Sequence, residues 1–221
     1  LYDALHSLSP WLAEKIGTPQ QTIAPEMVTN LDALYIVLLQ VMVSSFVMRF
    51  KPLHAMTGGF LVCAIGIGLT FATNNPMHLL VTILLFALGE MSGSPKILEY
   101  TGKIAPTDRV AVYMGMSFLP VAGGNFFAGI ISGSVYQNMS DKITLLKREV
   151  SARGLDIPKI SENFTKNDFT REAAAKMGMS ERELTNYLWD TYHPDHIWLV
   201  ITGIGILTVL GLLVYDRLIK S

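Results

Sequence analysis

The sequence predicts an all-α membrane protein with five transmembrane helices and a long extracytoplasmic insertion. Three observations support this fold class: 50% of the 221 residues are hydrophobic, only 16% are charged, and the apolar residues come in long blocks. A segment in lipid must satisfy its own backbone hydrogen bonds, which a helix does. The sequence contains no alternating apolar and polar pattern of the kind that would indicate a β-barrel. Because each block is apolar on all sides, membrane helices are favoured over a soluble amphipathic bundle.

Five blocks are long enough to cross the bilayer, which takes about 20 residues. They are Ala33–Phe50, Ala55–Ala72, Met77–Tyr100, Val110–Val135 and Ile197–Tyr215. The first four form a helical region over residues 33–136. A polar insertion (137–196) separates this region from the last helix and its cytoplasmic end (197–221).

Charges between the blocks predict the orientation of the helices. The basic residues that follow the first, third and fifth blocks are Arg49, Lys51, Lys103, Arg109, Arg217 and Lys220. The turn TNNPMH (73–78), on the opposite side, contains no lysine or arginine. By the positive-inside rule we expect a multi-pass protein of the cell inner (plasma) membrane with these basic ends in the cytoplasm, and helix counting puts the insertion outside.

The insertion carries signals for short surface helices. SERELTNYLWDTYHP begins with Ser180 and has Glu183 three residues later, which is a capping box, and its helix should end before Pro194. DKITLLKREVSARG has apolar residues at helical spacing and a stop signal at Gly154. Two interpretations stay open: a solvated cap on the outer face, or a binding site for a partner protein.

Composition argues against several function classes. The 17 basic and 18 acidic residues nearly balance, so nothing points to nucleic acid. The single cysteine, Cys63, cannot form an internal disulfide, and no metal-ligand cluster occurs, so we expect neither metal nor cofactor. The sequence also lacks His-Glu-x-x-His, Gly-x-Ser-x-Gly and paired intramembrane aspartates, so we expect no enzyme.

Glu90 is the residue on which the functional argument depends. It lies 13 residues from both Met77 and Lys103, and so near the middle of the bilayer at about 1.5 Å per residue. A charge there costs about 2.5–3.5 kcal/mol, so such groups face a water-filled cavity, pair with a partner, or bind protons and substrates. The alternative is a carboxyl group that only hydrogen-bonds a neighbouring helix.

The residues after Glu90 predict a gate. Pro95 lacks a backbone donor and clashes with the carbonyl of Met91, so the helix should kink between Glu90 and Lys96 and bend as the two faces open alternately. Lys96 and Glu99 are three residues apart, which suits an ion pair within the helix. The sharper alternative is a cytoplasmic gate formed with another half of the molecule.

Two further polar residues lie inside apolar blocks. Asn125 needs hydrogen-bond partners and is a candidate for the same cavity as Glu90. Its block is rich in glycine, and the spacing of Gly129 and Gly133 permits close packing against another helix of the bundle. Gln40 is a lone amide in the first block, suited to hydrogen bonds between helices or to ligand contact.

Two stretches of the chain resemble a known family. GEMSGSPKILEYTGKIAP, followed by YMGMSFLPVAGGNFFAG, is similar to the tenth and eleventh helices of proton-dependent oligopeptide transporters in the major facilitator superfamily. In that family a Glu-Leu-x-x-Ser-Pro stretch leads through a basic residue and Ala-Pro to a Met-Gly-x-x-Phe-Leu helix with a later Gly-Asn. The residues in register are Glu90, Ser94, Pro95, Lys103, Ala105, Pro106, Met114, Gly115, Phe118, Leu119, Gly124 and Asn125.

The resemblance implies a fold and a set of site residues. The five blocks would be helices eight to twelve of a transporter with about twelve helices, and residues 1–32 the outer end of the preceding helix and an extracytoplasmic loop. The chain would be the C-terminal helical bundle, and the N-terminal half of the same transporter would be its partner. Glu90 would line the central cavity and bind the amino terminus of a peptide, with Ser94 beside it. Ser117, where the family often has an aromatic residue, completes the substrate-binding candidates.

The function expected from these observations is secondary active transport of small peptides or related solutes. Transport would be coupled to protons and occur by alternating access in the lipid bilayer. The alternative is a membrane-anchored interaction protein whose 137–196 insertion binds a partner. The two differ in whether Glu90 or the insertion carries the function.

Overall fold

The protein is almost entirely helical. The computed structural model describes residues 2–17, 23, 25–71 and 76–220. Helix accounts for 83% of the structure, and the described residues form no strand, which confirms the all-α class. The α-helices are α1 (Tyr2–Leu8), α2 (Pro10–Ile16), α3 (Pro25–Val47), α4 (Pro52–Thr70), α5 (Pro76–Ile104), α6 (Val110–Met116), α7 (Leu119–Ile130), α8 (Gln137–Met139), α9 (Lys142–Ala152), α10 (Lys166–Lys176), α11 (Glu181–Tyr192) and α12 (Ile197–Lys220).

Five helical segments are long and apolar enough to cross a membrane, as the sequence predicts. They are Asn30–Val47, Pro52–Thr70, Met77–Ile104, Val110–Ala152 and Pro194–Ile219. α3 begins at Pro25, before the first apolar block, because backbone hydrogen bonds rather than hydropathy set helix ends and proline suits a first turn. α1 and α2 occupy part of the region expected to hold a helix end and a loop. The predicted turn residues 73–75 lie outside the described residues.

The fourth apolar block is helical but divided. α6 ends at Met116, and α7 begins at Leu119, next to Pro120. Proline has no N–H with which to continue the hydrogen-bond ladder of the preceding turn, so the helix is interrupted there. A π-helical segment, Ile131–Tyr136, follows α7 and leads into α8.

Contacts divide the chain into two compact units. The first unit is Leu1–Phe118 with Val200–Ser221, and it holds α1 to α6 and most of α12. The second unit is Leu119–Leu199, and it holds α7 to α11. Each unit has its own internal packing.

Glycines bring α4 and α5 into backbone contact in the first unit. A methyl group added at Gly59 would lie 2.7 Å from the carbonyl oxygen of Gly89 and from the nitrogen of Gly93. One added at Gly66 would lie 2.8 Å from the nitrogen of Phe86. Side-chain carbons do not approach backbone atoms this closely, so only glycine permits the crossing.

α12 and α3 pack beside this pair of helices. On α12, Gly205 lies against Ala64 of α4, and a methyl group added there would be 2.9 Å from the Ala64 Cβ. On α3, the Tyr35 hydroxyl donates to the carbonyl of Leu80 on α5 at 3.4 Å. The outer face of α3 exposes Val37, Leu38, Val41, Met42 and Phe46, a surface typical of contact with lipid.

A small helical core holds the second unit together. Its buried residues are Leu145, Leu146, Val150, Phe169, Ala173, Ala174, Leu184 and Leu188, from α9, α10 and α11. At its side Glu149 is only 7% exposed. Its carboxylate accepts hydrogen bonds from Arg153 Nε at 2.6 Å, the Tyr187 hydroxyl at 2.8 Å and the Tyr192 hydroxyl at 2.7 Å. These partners make a buried charge tolerable, because each lost contact with water is replaced.

Local signals set the helix ends in this unit as predicted. The Ser180 hydroxyl accepts from the Glu183 N–H at 3.2 Å, and the Glu183 carboxylate accepts from the Ser180 N–H at 2.7 Å. α11 then ends at Tyr192, before Pro194. Gly154 has a φ of 63°, the left-handed conformation of a residue that terminates a helix such as α9.

α10 has a second capping box, which the sequence analysis missed. The Thr165 hydroxyl accepts from the Asp168 N–H at 3.2 Å, and the Thr165 N–H donates to the Asp168 carboxylate at 2.9 Å. The usual pattern has glutamate or glutamine three residues after the cap. Aspartate in that position hides the signal in the sequence.

We predict that replacing Glu149 weakens the second unit. Glu149→Gln places an amide N–H₂ among side chains that donate hydrogen bonds, so the free energy of opening for α9 and α11 should fall by about 1–3 kcal/mol. Hydrogen exchange of the full chain measures this opening helix by helix. Glu162→Gln, at an exposed position, is the matched control and should change it by less than about 0.5 kcal/mol. Equal effects of the two substitutions would contradict the role of the buried carboxylate.

We also predict that acid weakens α10 and α11. The Ser180 N–H that donates to Glu183 lowers the pKa of that carboxyl, and the Thr165 hydroxyl and N–H lower the pKa of Asp168. The stabilisation is present above the unfolded pKa values, about 4, and is lost as the pH falls through the lower folded values. Exchange protection of both helices, corrected for intrinsic rates, should therefore drop in acid. In Glu183→Gln this pH dependence should become weaker in α11, where the carboxylate of Glu149 still contributes, and should persist unchanged in α10.

Candidate functional site

A cavity of about 380 Å³ lies in the first unit among α4, α5 and α12. This volume falls within the range of small-molecule sites, about 300–1,000 Å³. Two of the substrate-binding candidates, Glu90 and Ser94, line it. The full lining is Phe60, Cys63, Ala64 and Ile67 on α4, Phe86, Glu90 and Ser94 on α5, and Ile201, Ile204, Gly205 and Thr208 on α12.

Helical periodicity explains why these residues share one cavity. On each helix the lining residues recur at intervals of three or four, which places them on one face. On α5 the lining face runs through Phe86, Glu90 and Ser94 in steps of four residues. Because Gly89 and Gly93 hold the adjacent face of α5 against α4, the Glu90 face is directed into the space beside α4 and α12.

The cavity is negative in charge and otherwise mostly apolar. Glu90 is half-buried, and no described residue donates a hydrogen bond to its carboxylate or forms an ion pair with it. The negative charge of Asp32 on α3 acts on Glu90 and on the Cys63 thiol. One carboxylate oxygen of Asp32 is itself buried without a hydrogen-bond partner in the described structure. The arrangement is therefore suited to a proton or a cationic group.

Hydroxyl groups lie on two walls of this cavity. Ser94 stands one helical turn after Glu90 on α5, and Thr208 lies on α12. The Thr208 hydroxyl donates to the carbonyl of Ile204 at 3.0 Å, which leaves its oxygen able to accept. The polar groups of the site are thus one carboxylate, two hydroxyls and the thiol of Cys63.

Lys96 and Glu99 form the ion pair that their spacing predicts. Lys96 is only 5% exposed, and its Nζ lies 2.6 Å from Oε2 of Glu99. Lys96 also donates to the carbonyl of Phe50, at 3.4 Å, in the turn between α3 and α4. Lys103 binds the other oxygen of Glu99 at 2.5 Å. Lys96 therefore fastens the α3–α4 turn to α5, while a cytoplasmic gate with another part of the molecule stays a prediction.

α5 passes through Pro95 as a helix that spans Pro76–Ile104. Because Pro95 has no N–H, it cannot donate to the carbonyl of Met91. The kink and bending expected at this point stay a prediction. The two parts of α5 have different attachments, since Gly89 and Gly93 contact α4 whereas Lys96 binds the α3–α4 turn.

Polar contacts hold α12 to its neighbours past the cavity. The hydroxyls of Tyr100 on α5 and Tyr215 on α12 are 3.0 Å apart. His54 Nε2 on α4 lies 3.9 Å from Asp216 Oδ2 on α12. These contacts attach one end of α12 to both other walls of the cavity.

The remaining substrate-binding candidates make local contacts. Gln40 donates to the Ser44 hydroxyl at 2.8 Å within α3, and Ser117 donates to the carbonyl of Met114 at 2.6 Å. Asn125 is exposed on α7 in the second unit. Their roles in substrate binding stay predictions.

The glycines of the fourth block are Gly115, Gly123, Gly124, Gly129 and Gly133, and all but Gly115 lie in the second unit. Within that unit, a methyl group added at Gly123, Gly124, Gly129 or Gly133 would meet no atom within 4 Å. Packing of this face within the bundle, as expected from the sequence, stays a prediction. Close glycine packing is found between α4 and α5 in the first unit.

Sequence reasoning missed this packing and most of the cavity wall. Gly89 and Gly93 have the same small-x-x-x-small spacing that was recognised at Gly129 and Gly133, so the signal was present. Thr208 and its neighbours on α12 carry no such signal. Every face of that helix is apolar, and only its neighbours decide which one borders a cavity.

Comparisons with protein-family models, with known proteins and with solved structures find no match for this chain. Among the described residues, no group of three or more histidine, cysteine, aspartate or glutamate side chains could hold a metal ion. The evidence for a function therefore comes from the chemistry of the cavity.

We predict that a methyl group at Gly59 separates α4 from α5. Gly59→Ala should destabilise the first unit by about 1–3 kcal/mol because the clash is with backbone atoms. The rate of Cys63 alkylation by a maleimide should rise, and the signal is unambiguous because the chain has one cysteine. Gly58→Ala is the matched control, since its methyl group would meet no atom within 4 Å. Equal alkylation rates in the two variants would contradict the backbone contact.

Proposed function

We propose that this chain is part of a secondary active transporter that carries small peptides or related solutes together with protons by alternating access. The observation that supports this most is the Glu90 carboxylate, which is half-buried, unpaired among the described residues, and turned into a cavity between apolar helices. An ionisable group at that depth is costly unless a proton, a solute or water meets it. The resemblance to proton-dependent oligopeptide transporters points the same way.

Coupling in this proposal requires that a proton and a solute cross the membrane in the same step. The charged Glu90 holds a cationic group of the solute, and Asp32, whose negative charge acts on Glu90, takes up the proton. A proton on Asp32 and a cation on Glu90 neutralise both acids, so the loaded site moves without a net buried charge. Movement of the two ligands together links solute movement to the proton gradient.

The proposal includes a second helical bundle as partner. Facilitator-type transporters bind substrate between two halves that rock against each other. In this proposal the N-terminal half of the same transporter faces the Glu90 side, and the lipid of the inner (plasma) membrane surrounds the outer apolar faces. The ion pair of Lys96 and Glu99 would keep the α3–α4 turn attached to α5 during the movement.

A second candidate function is that of a membrane-anchored interaction protein. The feature that favours it is a separate hydrophobic core in the second unit. The buried residues of this core all lie within the 137–196 insertion. In this case the apolar helices serve as an anchor, and Glu90→Gln has no effect on function. Removal of residues 137–196 would abolish it.

Uptake of labelled dipeptides by the full-length protein in liposomes tests the first candidate. With an inward proton gradient we expect uptake that falls at least about tenfold in Glu90→Gln, because the neutral amide neither titrates nor attracts a cation. Asp108→Asn, an exposed acid in the α5–α6 connection, is the matched control and should leave uptake unchanged. Uptake that responds neither to the gradient nor to Glu90→Gln would refute the transport proposal.

A further inference from the structure

We propose that His54 and Asp216 form a pH-sensitive clasp, which holds the C-terminal end of α12 to the first turn of α4 more tightly in weak acid than at neutral pH. Tyr100 and Tyr215 support this clasp through a contact that holds α12 to α5. The inference goes beyond the proposed transport function and does not depend on it, because the clasp belongs to the folded first unit.

The two members of the clasp come from helices that are far apart in the chain. His54 lies in the first turn of α4, and Asp216 lies near the C-terminal end of α12. His54 Nε2 and Asp216 Oδ2 are 3.9 Å apart. Both residues belong to the first unit, so this contact joins two helices within one compact body.

The length of this contact makes it depend on charge. At 3.9 Å the two atoms lie beyond the usual range of a hydrogen bond, so a neutral His54 gains little from Asp216. A protonated His54 attracts the carboxylate by charge, and this attraction acts over a longer distance. The side chain of His54 is 53% exposed and that of Asp216 is 21% exposed, so solvent weakens the attraction. The expected effect on opening of the helix end is therefore about twofold to fivefold.

The direction of the pH effect follows from the chemistry of histidine. Histidine is the side chain that normally gains or loses a proton between about pH 5 and pH 8. The pair with Asp216 is present when His54 carries the proton, and it is lost as the pH rises and the proton leaves. The clasp therefore tightens in weak acid and loosens toward neutral pH.

His54 is the group at this end of the unit that is expected to change its charge. Lysine, arginine and tyrosine normally keep their charge state between about pH 5 and pH 8, and carboxylates stay ionised. On the elements that meet at the clasp, the neighbouring charged or titratable groups are Arg49 and Lys51 before α4, Lys96, Glu99, Tyr100 and Lys103 on α5, and Tyr215 and Arg217 on α12.

Tyr100 and Tyr215 keep Asp216 within reach of His54. Their hydroxyl oxygens are 3.0 Å apart, and their rings pack edge to face with centroids 6.3 Å apart. Tyr215 directly precedes Asp216 in the chain, so a contact that fixes Tyr215 against α5 also limits the movement of Asp216. The negative charge of Asp216 acts on Tyr100 as well. The end of α12 is thus attached to α5 at either pH and to α4 in a pH-dependent way.

The clasp lies on a helix that forms one wall of the cavity. Ile201, Ile204 and Thr208 of α12 line this cavity, and Gly205 packs against Ala64 of α4. A tighter clasp lowers the frequency with which α12 separates from α4, because the helix is then held at its end as well as at Gly205. In the proposed transporter this end faces the cytoplasm, so protons delivered there would slow further movement of the cavity wall.

Hydrogen exchange of the full-length protein in liposomes tests the clasp. After correction for intrinsic rates, we expect the amides of residues 212–219 to be about twofold to fivefold better protected at about pH 5.5 than at about pH 8. His54→Gln and Asp216→Asn should each remove this difference. His78→Gln is the matched control and should preserve it, because His78 is exposed and also lies in the first turn of a helix that begins with proline, α5.

Three results would overturn the inference. They are protection of α12 that does not rise in acid, a pH dependence that is equal in the unsubstituted protein and in His54→Gln, and an effect of His54→Gln that is the same at both pH values. Unchanged exchange at the glycine contact of α4 and α5 shows that each variant is folded. The measurement uses no substrate, so its outcome is separate from the uptake test of the transport proposal.

Discussion

Backbone contact between α4 and α5 is the constraint on which the first unit depends. Gly59 lies against Gly89 and Gly93 with no side chain between the helices, so neither helix can rotate or slide without a clash. Glu90 follows Gly89 directly in the chain. Its direction is therefore fixed by the crossing, which turns the α5 face of Phe86, Glu90 and Ser94 toward α12 and creates the cavity.

The charges of Lys96 and Glu90 on α5 are accommodated in opposite ways. Lys96 is satisfied by Glu99 and by the carbonyl of Phe50, so its role in this structure is to attach the α3–α4 turn. Glu90 has no such partner among the described residues and faces a cavity. A paired charge contributes to architecture, and an unpaired one at membrane depth needs a ligand or a proton. This contrast is the physical reason for assigning function to Glu90.

The first unit and the α9–α11 part of the second unit bury different kinds of side chain. The first exposes large apolar side chains on the outer face of α3 and packs its helices through glycine and alanine, as expected where lipid is the solvent. In the second unit, α9 to α11 bury leucine and valine side chains in a core, whereas α7 exposes large apolar side chains such as Phe126 and Phe127. The buried carboxylate of Glu149 accepts hydrogen bonds from Arg153, Tyr187 and Tyr192. The part of this unit formed by α9 to α11 is thus packed like a small helical domain with an apolar core.

The sequence by itself determined the features that depend on neighbours in the chain. Hydropathy located five membrane-length helices, the capping box located the start of α11, and helical spacing identified the pair of Lys96 and Glu99. Only the tertiary structure decided which residues join Glu90, because Thr208, Ile204 and Phe60 lie on helices that are apolar all round. The face that each of these helices turns toward Glu90 is set by close backbone contacts between helices. The sequence of a single helix does not encode these contacts.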